Sequence, residues 1–155
     1  MHANAQAVAD AGREQGVDIE VSEFPEGTRT AADAAAAVGV DVAQIVKSLV
    51  FVVDDQVVVA LVSGPNRLDE ARLAAAAGGD EVRRASADEV RDATGYPIGG
   101  VPPFAHRSPL PTFVDRTLLA HAVVWSAAGT PRHVFPLPPD DLVRVSGATV
   151  ADLAG

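Results

Sequence analysis

Two stretches of this chain hold residues that could do chemistry. The first is Gln44-Ile45-Val46-Lys47-Ser48-Leu49-Val50-Phe51, which carries the sole lysine among 155 residues; every other cation of this chain is an arginine. Arginine presents a planar fork of donors, whereas lysine places a compact ammonium on a flexible stem. Where arginine serves at all other positions, a retained lysine points to a place that needs the compact group. The residue alone leaves a second reading open, in which the stem covers apolar surface while the head reaches water.

The second stretch is Gly99-Gly100-Val101-Pro102-Pro103-Phe104. Two glycines permit positive φ and a close approach by a ligand. The prolines fix φ and bring no N–H. The amides of Gly99, Gly100 and Val101 are therefore the donors the loop can offer, on a backbone stiffened from its C-terminal side. Such a nest suits a carbonyl oxygen, a carboxylate or an oxyanion. An ordinary surface turn has the same composition, and that alternative stays open at this level. Dinucleotide and P-loop glycine patterns are absent.

The elements that must position these residues can be read in order. Residues 3–15 suit a helix, Asp18–Phe24 alternates as a strand, and Pro25-Glu26-Gly27 turns the chain. Thr30 is an N-cap for the alanine-rich helix 31–38, stopped by Gly39; its alanines imply close packing and no chemistry. A short helix, Asp41–Val46, then delivers Lys47 to a strand. Ser48–Val53, Asp54-Asp55 and Gln56–Val62 form a hairpin, apolar enough that both faces should be covered. Leu68–Ala77 reads as a helix, Glu81–Ala85 as a strand, and Ser86 to Glu89 as a capping box opening a helix to Ala93. Strands follow at Leu110–Val114, Ala122–Ala127 and His133–Leu137, with a turn or short helix at Asp115–Leu119. A last helix starts at Pro138-Pro139, and a short strand closes at Ala148–Val150. The expected fold is α+β: one domain over 1–155, with a mixed, partly closed β-sheet of about six or seven strands surrounded by helices.

Composition excludes several functions. The chain has no cysteine, so disulfides, thiolate metal sites and a cysteine nucleophile are out. The four histidines show no paired spacing, and neither a metal nor a cofactor is expected. None of His106, His121 and His133 belongs to a recognisable nucleophile motif; His106 reads as a loop residue beside the glycines and His121 as a strand end. A net charge of −9 argues against DNA or broad nucleic-acid binding but allows a local contact with one end of an RNA. Arg83, Arg84 and Arg91 could touch phosphates or simply form a solvated face. No run reaches the length of a membrane span, and the N-terminus lacks a signal-peptide pattern, so a cytoplasmic location is expected.

In their order along the chain, these segments carry a resemblance. Ile45-Val46-Lys47-Ser48-Leu49-Val50-Phe51 with its hairpin, Leu68-Asp69 opening a helix, and Thr94-Gly95-Tyr96 followed by Gly99 to Phe104 resemble the YbaK/prolyl-tRNA-synthetase-associated editing family. Leu110-Pro111, Val114-Asp115, Ser126 and Val150-Ala151-Asp152-Leu153 extend the likeness, which runs from about residue 18 to the end. The resemblance implies a free-standing domain that hydrolyses mischarged tRNA in trans, removing a wrong amino acid from proline tRNA. Its partners would be the aminoacylated tRNA 3′ end and a prolyl-tRNA synthetase that could present it. It implies that Lys47 is the functional lysine and that Gly99, Gly100, Val101, Pro102 and Pro103, the family's GxxxP loop, line the aminoacyl pocket beside Phe104. By position Ser48, Tyr96, Ser126 and His133 would also contact substrate. Two departures bear on the substrate: Pro102 stands where many relatives carry Ser or Thr, and His133 where some carry an acid. A binding module that keeps the pocket without turnover is the alternative.

Overall fold

The computed structural model describes residues 2–24 and 30–155; the turn expected at Pro25-Glu26-Gly27 lies outside them. Among the described residues the elements are α1 (Ala3–Glu14), β1 (Ser22–Glu23), α2 (Ala31–Val38), β2 (Val46–Val53), β3 (Gln56–Ser63), α3 (Glu70–Ala77), β4 (Val82–Arg84) and α4 (Ala87–Thr94). They continue with β5 (Thr112–Asp115), β6 (Val124–Ala127), β7 (His133–Leu137), α5 (Pro139–Ser146) and β8 (Thr149–Ala151). Short 3-10 turns lie at Val42–Gln44 and Arg116–Ala120.

The hairpin β2–β3 is the centre. Asp54 and Asp55 take positive φ (46° and 69°), the conformation whose twist matches paired strands. The Asp54 carboxylate also accepts the N–H groups of Asp80 and Glu81, both at 2.9 Å. These bonds hold its pKa below the usual carboxylate value and tie the turn to the approach of β4. β3 then pairs in parallel with β5, and β5 in parallel with β8, giving the five-stranded order β4-β2-β3-β5-β8. Continuous apolar character in β2 and β3 is explained by cover on both faces. Val46, Val50, Val59 and Leu61 join one core with α1, α4, α5, β6 and β7. Phe51, Val53, Val58, Ala60 and Val62 join another with Leu73 of α3 and Leu153.

A single partly closed sheet does not form. β1, β7 and β6 make a separate three-stranded sheet. Among the described residues one isolated parallel bridge, Ile45 to Trp125, joins the sheets by backbone, and side chains of a shared core pack them together. Three local expectations also change. The strand expected at Asp18–Phe24 shrinks to Ser22–Glu23, because the ladder with β7 lasts two pairs while Val17 and Ile19 turn into the core. The helix expected at Asp41–Val46 is a 3-10 turn: the Ile45 carbonyl accepts the Gly64 N–H, and the strand starts at Val46. Helix α3 starts at Glu70 rather than Leu68, since Asp69 caps it and Leu68 bridges to Ala154. No helix among the described residues is long and apolar enough to cross a membrane.

Candidate active site

Where the two sheets part there is a cavity of about 630 Å³, inside the ~300–1,000 Å³ range of small-molecule sites. β2 supplies its floor. Successive side chains leave opposite faces of a strand, so Lys47 shares a face with Leu49 and Phe51, and Ser48 with Val46 and Val50. The cavity reaches both because it wraps the free edge of β2, and Val46, Lys47, Ser48 and Leu49 all line it. The Val50 carbonyl accepts Ala85 N–H on the edge away from β3. Backbone groups two residues apart share an edge, so the Ser48 N–H and C=O face that edge before β4 joins at Phe51.

Lys47 is half-buried. Its Nζ donates to the Asn66 carbonyl at 2.6 Å, and among the described residues no carboxylate lies within ion-pair distance of it. Burial lowers its pKa below the ordinary lysine value, and the nearby Arg84 guanidinium lowers it further. The lone lysine is therefore a charged group with one neutral acceptor, at the wall of a largely apolar cavity.

The glycine loop faces it across the cavity, and its own contacts fix its shape. Gly99 (φ 85°) and Val101 line the cavity with Ile98. Gly100 does not offer a free donor as expected: its N–H is bonded to the Pro97 carbonyl at 2.9 Å. What glycine allows at this position is contact, since a Cβ would lie 2.7 Å from Thr130 Cα. Tyr96, Pro102, Pro103 and Phe104 are buried behind the loop and none of them lines the cavity. The Tyr96 hydroxyl donates to Ala105 O at 2.9 Å, and burial raises its pKa. A carbonyl only accepts, so His106 Nε2 donates to Pro102 O at 2.7 Å; burial pushes the His106 pKa down. Phe104 packs edge-on against Phe135. Together these contacts make the 94–107 segment a self-braced loop with the Gly99 and Val101 backbone at its inner surface.

Ser126, on β6, lines the cavity opposite Ser48. The hydroxyls of both serines are buried with no hydrogen-bond partner among the described residues. Two such orphans at one cavity are unusual, because buried polar atoms are nearly always paired. His133 is buried but stands behind the wall. Its Nε2 donates to Glu23 at 3.0 Å, and its Nδ1 lies 2.6 Å from Thr130 Oγ1, so neither nitrogen is free for a ligand. The neighbouring Val134 lines the cavity instead.

The sequence reading missed the cavity's far wall. Ala31, Ala34 and Val38 of α2, with Val42, Ile45 and Trp125, form a small apolar cluster and line the cavity. In the sequence the alanine run implies close packing alone; in the structure Ala31, Ala32 and Ala34 also line the cavity, where their small side chains leave room. Of the arginines that could touch phosphates or form a solvated face, Arg84 stands beside the site: it holds its guanidinium 5.7 Å from the Phe51 ring and lines a small annex with Ser48 and Gly99.

The chain is similar to known proteins. A family model described as an aminoacyl-tRNA editing domain matches residues 25–145. The uncharacterized protein YwhH of Bacillus subtilis is 31% identical over 132 residues, a match covering 84% of this chain and 83% of that one. A proline–tRNA ligase of Lactobacillus gasseri is 43% identical over 60 residues, which span 39% of this chain and 11% of the ligase. Among solved structures, one described as a candidate trans-editing enzyme for prolyl tRNA synthetase matches with a TM-score of 0.94 at 46% identity, over 100% of this chain and 99% of that one.

Proposed function

Because the chain belongs to the aminoacyl-tRNA editing domain family, we propose that it is a free-standing deacylase that hydrolyses mischarged tRNA in trans. Proline tRNA carrying a wrong amino acid is the expected substrate, by likeness to the candidate trans-editing enzyme and the proline–tRNA ligases. The observation that carries this reading is the common cavity of Lys47, Gly99, Val101, Ser48 and Ser126. A cation, a rigid glycine backbone and two unpaired hydroxyls suit a small polar acyl group attached to an anionic chain.

In this reading the aminoacyl group enters between the sheets. Lys47, charged, exchanges the Asn66 carbonyl for an oxygen of the terminal ribose or phosphate. The Gly99 and Val101 amides hold the ester carbonyl and stabilise the oxyanion that forms on it. Ser48 and Ser126 satisfy the polar atoms of the bound amino acid. Water attacks the carbonyl carbon, the ester C–O bond breaks, and the proton given up by the water goes to the departing ribose oxygen, releasing the free amino acid. Attack by a nucleophile on the bound amino acid instead releases a cyclic acyl product, its proton passing to the ribose oxygen in the same way. An aminoacyl ester is already activated, so positioning and oxyanion stabilisation carry the step. A protein nucleophile finds no support: neither serine hydroxyl has a histidine partner, and His106 and His133 bond elsewhere.

Deacylation of a panel of mischarged tRNAs tests the reading. Wild type should release at least one non-cognate amino acid from proline tRNA, and Lys47→Ala should abolish release while melting at the wild-type temperature. Full activity in Lys47→Ala would remove the mechanism. Binding of an amino acid without turnover on any charged tRNA would instead assign a binding module.

A further inference from the structure

The Lys47 ammonium rests on a carbonyl that is itself held in place from several sides. Asn66 N–H donates to Ser63 O at 2.9 Å, closing the turn that carries this carbonyl. Its side-chain Nδ2 donates to Thr117 Oγ1 at 3.0 Å. Thr117 in turn donates to the Asp115 carboxylate. A carboxylate can only accept here, so the threonine proton is committed to Asp115 and its oxygen is left to accept from Asn66, which fixes the amide orientation. Asp115 is buried at 1% exposure and its other oxygen accepts Leu153 N–H at 2.8 Å. Burial pushes its pKa up, but hydrogen bonds from Thr117, Leu153, Ala154 and Asn66 outweigh that and hold it below the usual value. The same loop is tied to the C-terminal segment by Asp69 N–H to Leu153 O and Gly155 N–H to Arg67 O.

This is more anchorage than a surface turn after a strand requires. We propose that Asn66 is the positioning residue for Lys47, with Thr117 and Asp115 as its strap: the relay fixes the Asn66 carbonyl so that the sole lysine stays protonated and pointed along the cavity wall. It rests on the deacylase reading for its purpose but not for its test. Arg84 on β4 is the charged group acting on Lys47 among the described residues, and it opposes the protonated state. With no carboxylate paired to the ammonium, the fixed carbonyl is what favours the charged form. A neutral acceptor also releases the ammonium to an incoming anion more readily than a carboxylate would.

The sole lysine makes the experiment direct, because lysine labelled at the ε-carbon gives one side-chain NMR resonance from position 47. Titrating it in wild type, Asn66→Ala, Thr117→Val and Thr117→Ser reads the state of the ammonium in each. Asn66→Ala and Thr117→Val should move the Lys47 midpoint down, and Thr117→Ser, which keeps the hydroxyl, should leave it near wild type. On charged tRNA, Asn66→Ala should lower kcat/KM by about tenfold or more, through kcat, as misplacement of a catalytic group does. An unchanged Lys47 midpoint in both Asn66→Ala and Thr117→Val overturns the proposal, even if activity falls, since that loss would be merely structural. Should wild type deacylate no tRNA, the deacylase reading falls and the titration still decides the role of Asn66.

Discussion

At position 47 the choice of lysine over arginine is a choice of geometry. One carbonyl accepts the ammonium at 2.6 Å; a guanidinium would bring a planar fork of further N–H groups to a wall that is mostly apolar. Lys47→Arg should therefore lose at least tenfold in kcat/KM despite keeping the charge, whereas Lys47→Met should abolish turnover and leave stability within about 1 kcal/mol of wild type. Parallel kinetics and thermal melts separate the two effects. The pH profile follows from the sign of the shift. In the proposed reaction the protonated form is the working one; its pKa is lowered by burial and by Arg84, so activity should fall as pH rises through a midpoint below that of free lysine, and Lys47 titration by NMR should share that midpoint. The rarity of lysine made this residue legible in the sequence. Its partner was not legible, because a backbone carbonyl leaves no trace in residue type. His133 misled for the opposite reason: an eye-catching side chain on a strand turned out to be engaged on both nitrogens with Thr130 and Glu23.

Among the elements, the glycine loop is where backbone freedom and contact divide between neighbours. Gly99 needs its positive φ, and the nearest atom to an added Cβ is Pro131 Cγ at 3.7 Å, so Gly99→Ala costs mainly conformational strain, about 1–2 kcal/mol. Gly100 has no such φ but no room, because Thr130 backbone atoms lie 2.7–2.9 Å from an added Cβ. Gly100→Ala should push the loop off the Thr130 turn, destabilise by about 1–3 kcal/mol and cost activity out of proportion to the melting shift. Calorimetry beside deacylation rates reads both. The loop's existence was legible from glycine and proline. That the Gly100 amide turns inward to Pro97, and that Tyr96 and His106 brace the loop from behind, depends on tertiary contacts that a linear pattern does not carry. The hairpin and the Ser86 cap were legible because each is settled by neighbours in sequence; the pairing of β3 with β5, more than forty residues on, is not.

At the scale of the molecule, the described residues give the two sheets one isolated backbone bridge, and the candidate site is the cavity lined by β2 of one sheet and by β6 and β7 of the other. Apolar runs make the strands β2, β3, β6 and β7 legible, but nothing in them says that pairing between Ile45 and Trp125 stops at an isolated bridge, so the sequence implies one partly closed sheet where two sheets and a cavity stand. The net charge of −9 sets how such a molecule can hold an RNA. If Lys47 meets one phosphate of a single-stranded end, the affinity for a 3′-terminal RNA should change with salt at a slope of about −0.7 on logarithmic axes. A fluorescence titration across salt concentrations checks this, and a slope several times steeper would mean a broad basic face that the described surface does not offer.

Part of that cavity's wall is made by α2, whose Ala31 and Ala34 line it with side chains of a single carbon. A wall built of alanines can be thickened in single-carbon steps. Ala34→Val or a larger side chain would shrink the chamber while Lys47 and the glycine loop stayed as they are. On the proposed deacylase reading, discrimination among acyl groups by size is in this way separable from the residues that act on the ester, and a lineage could shift its preference through that helix alone.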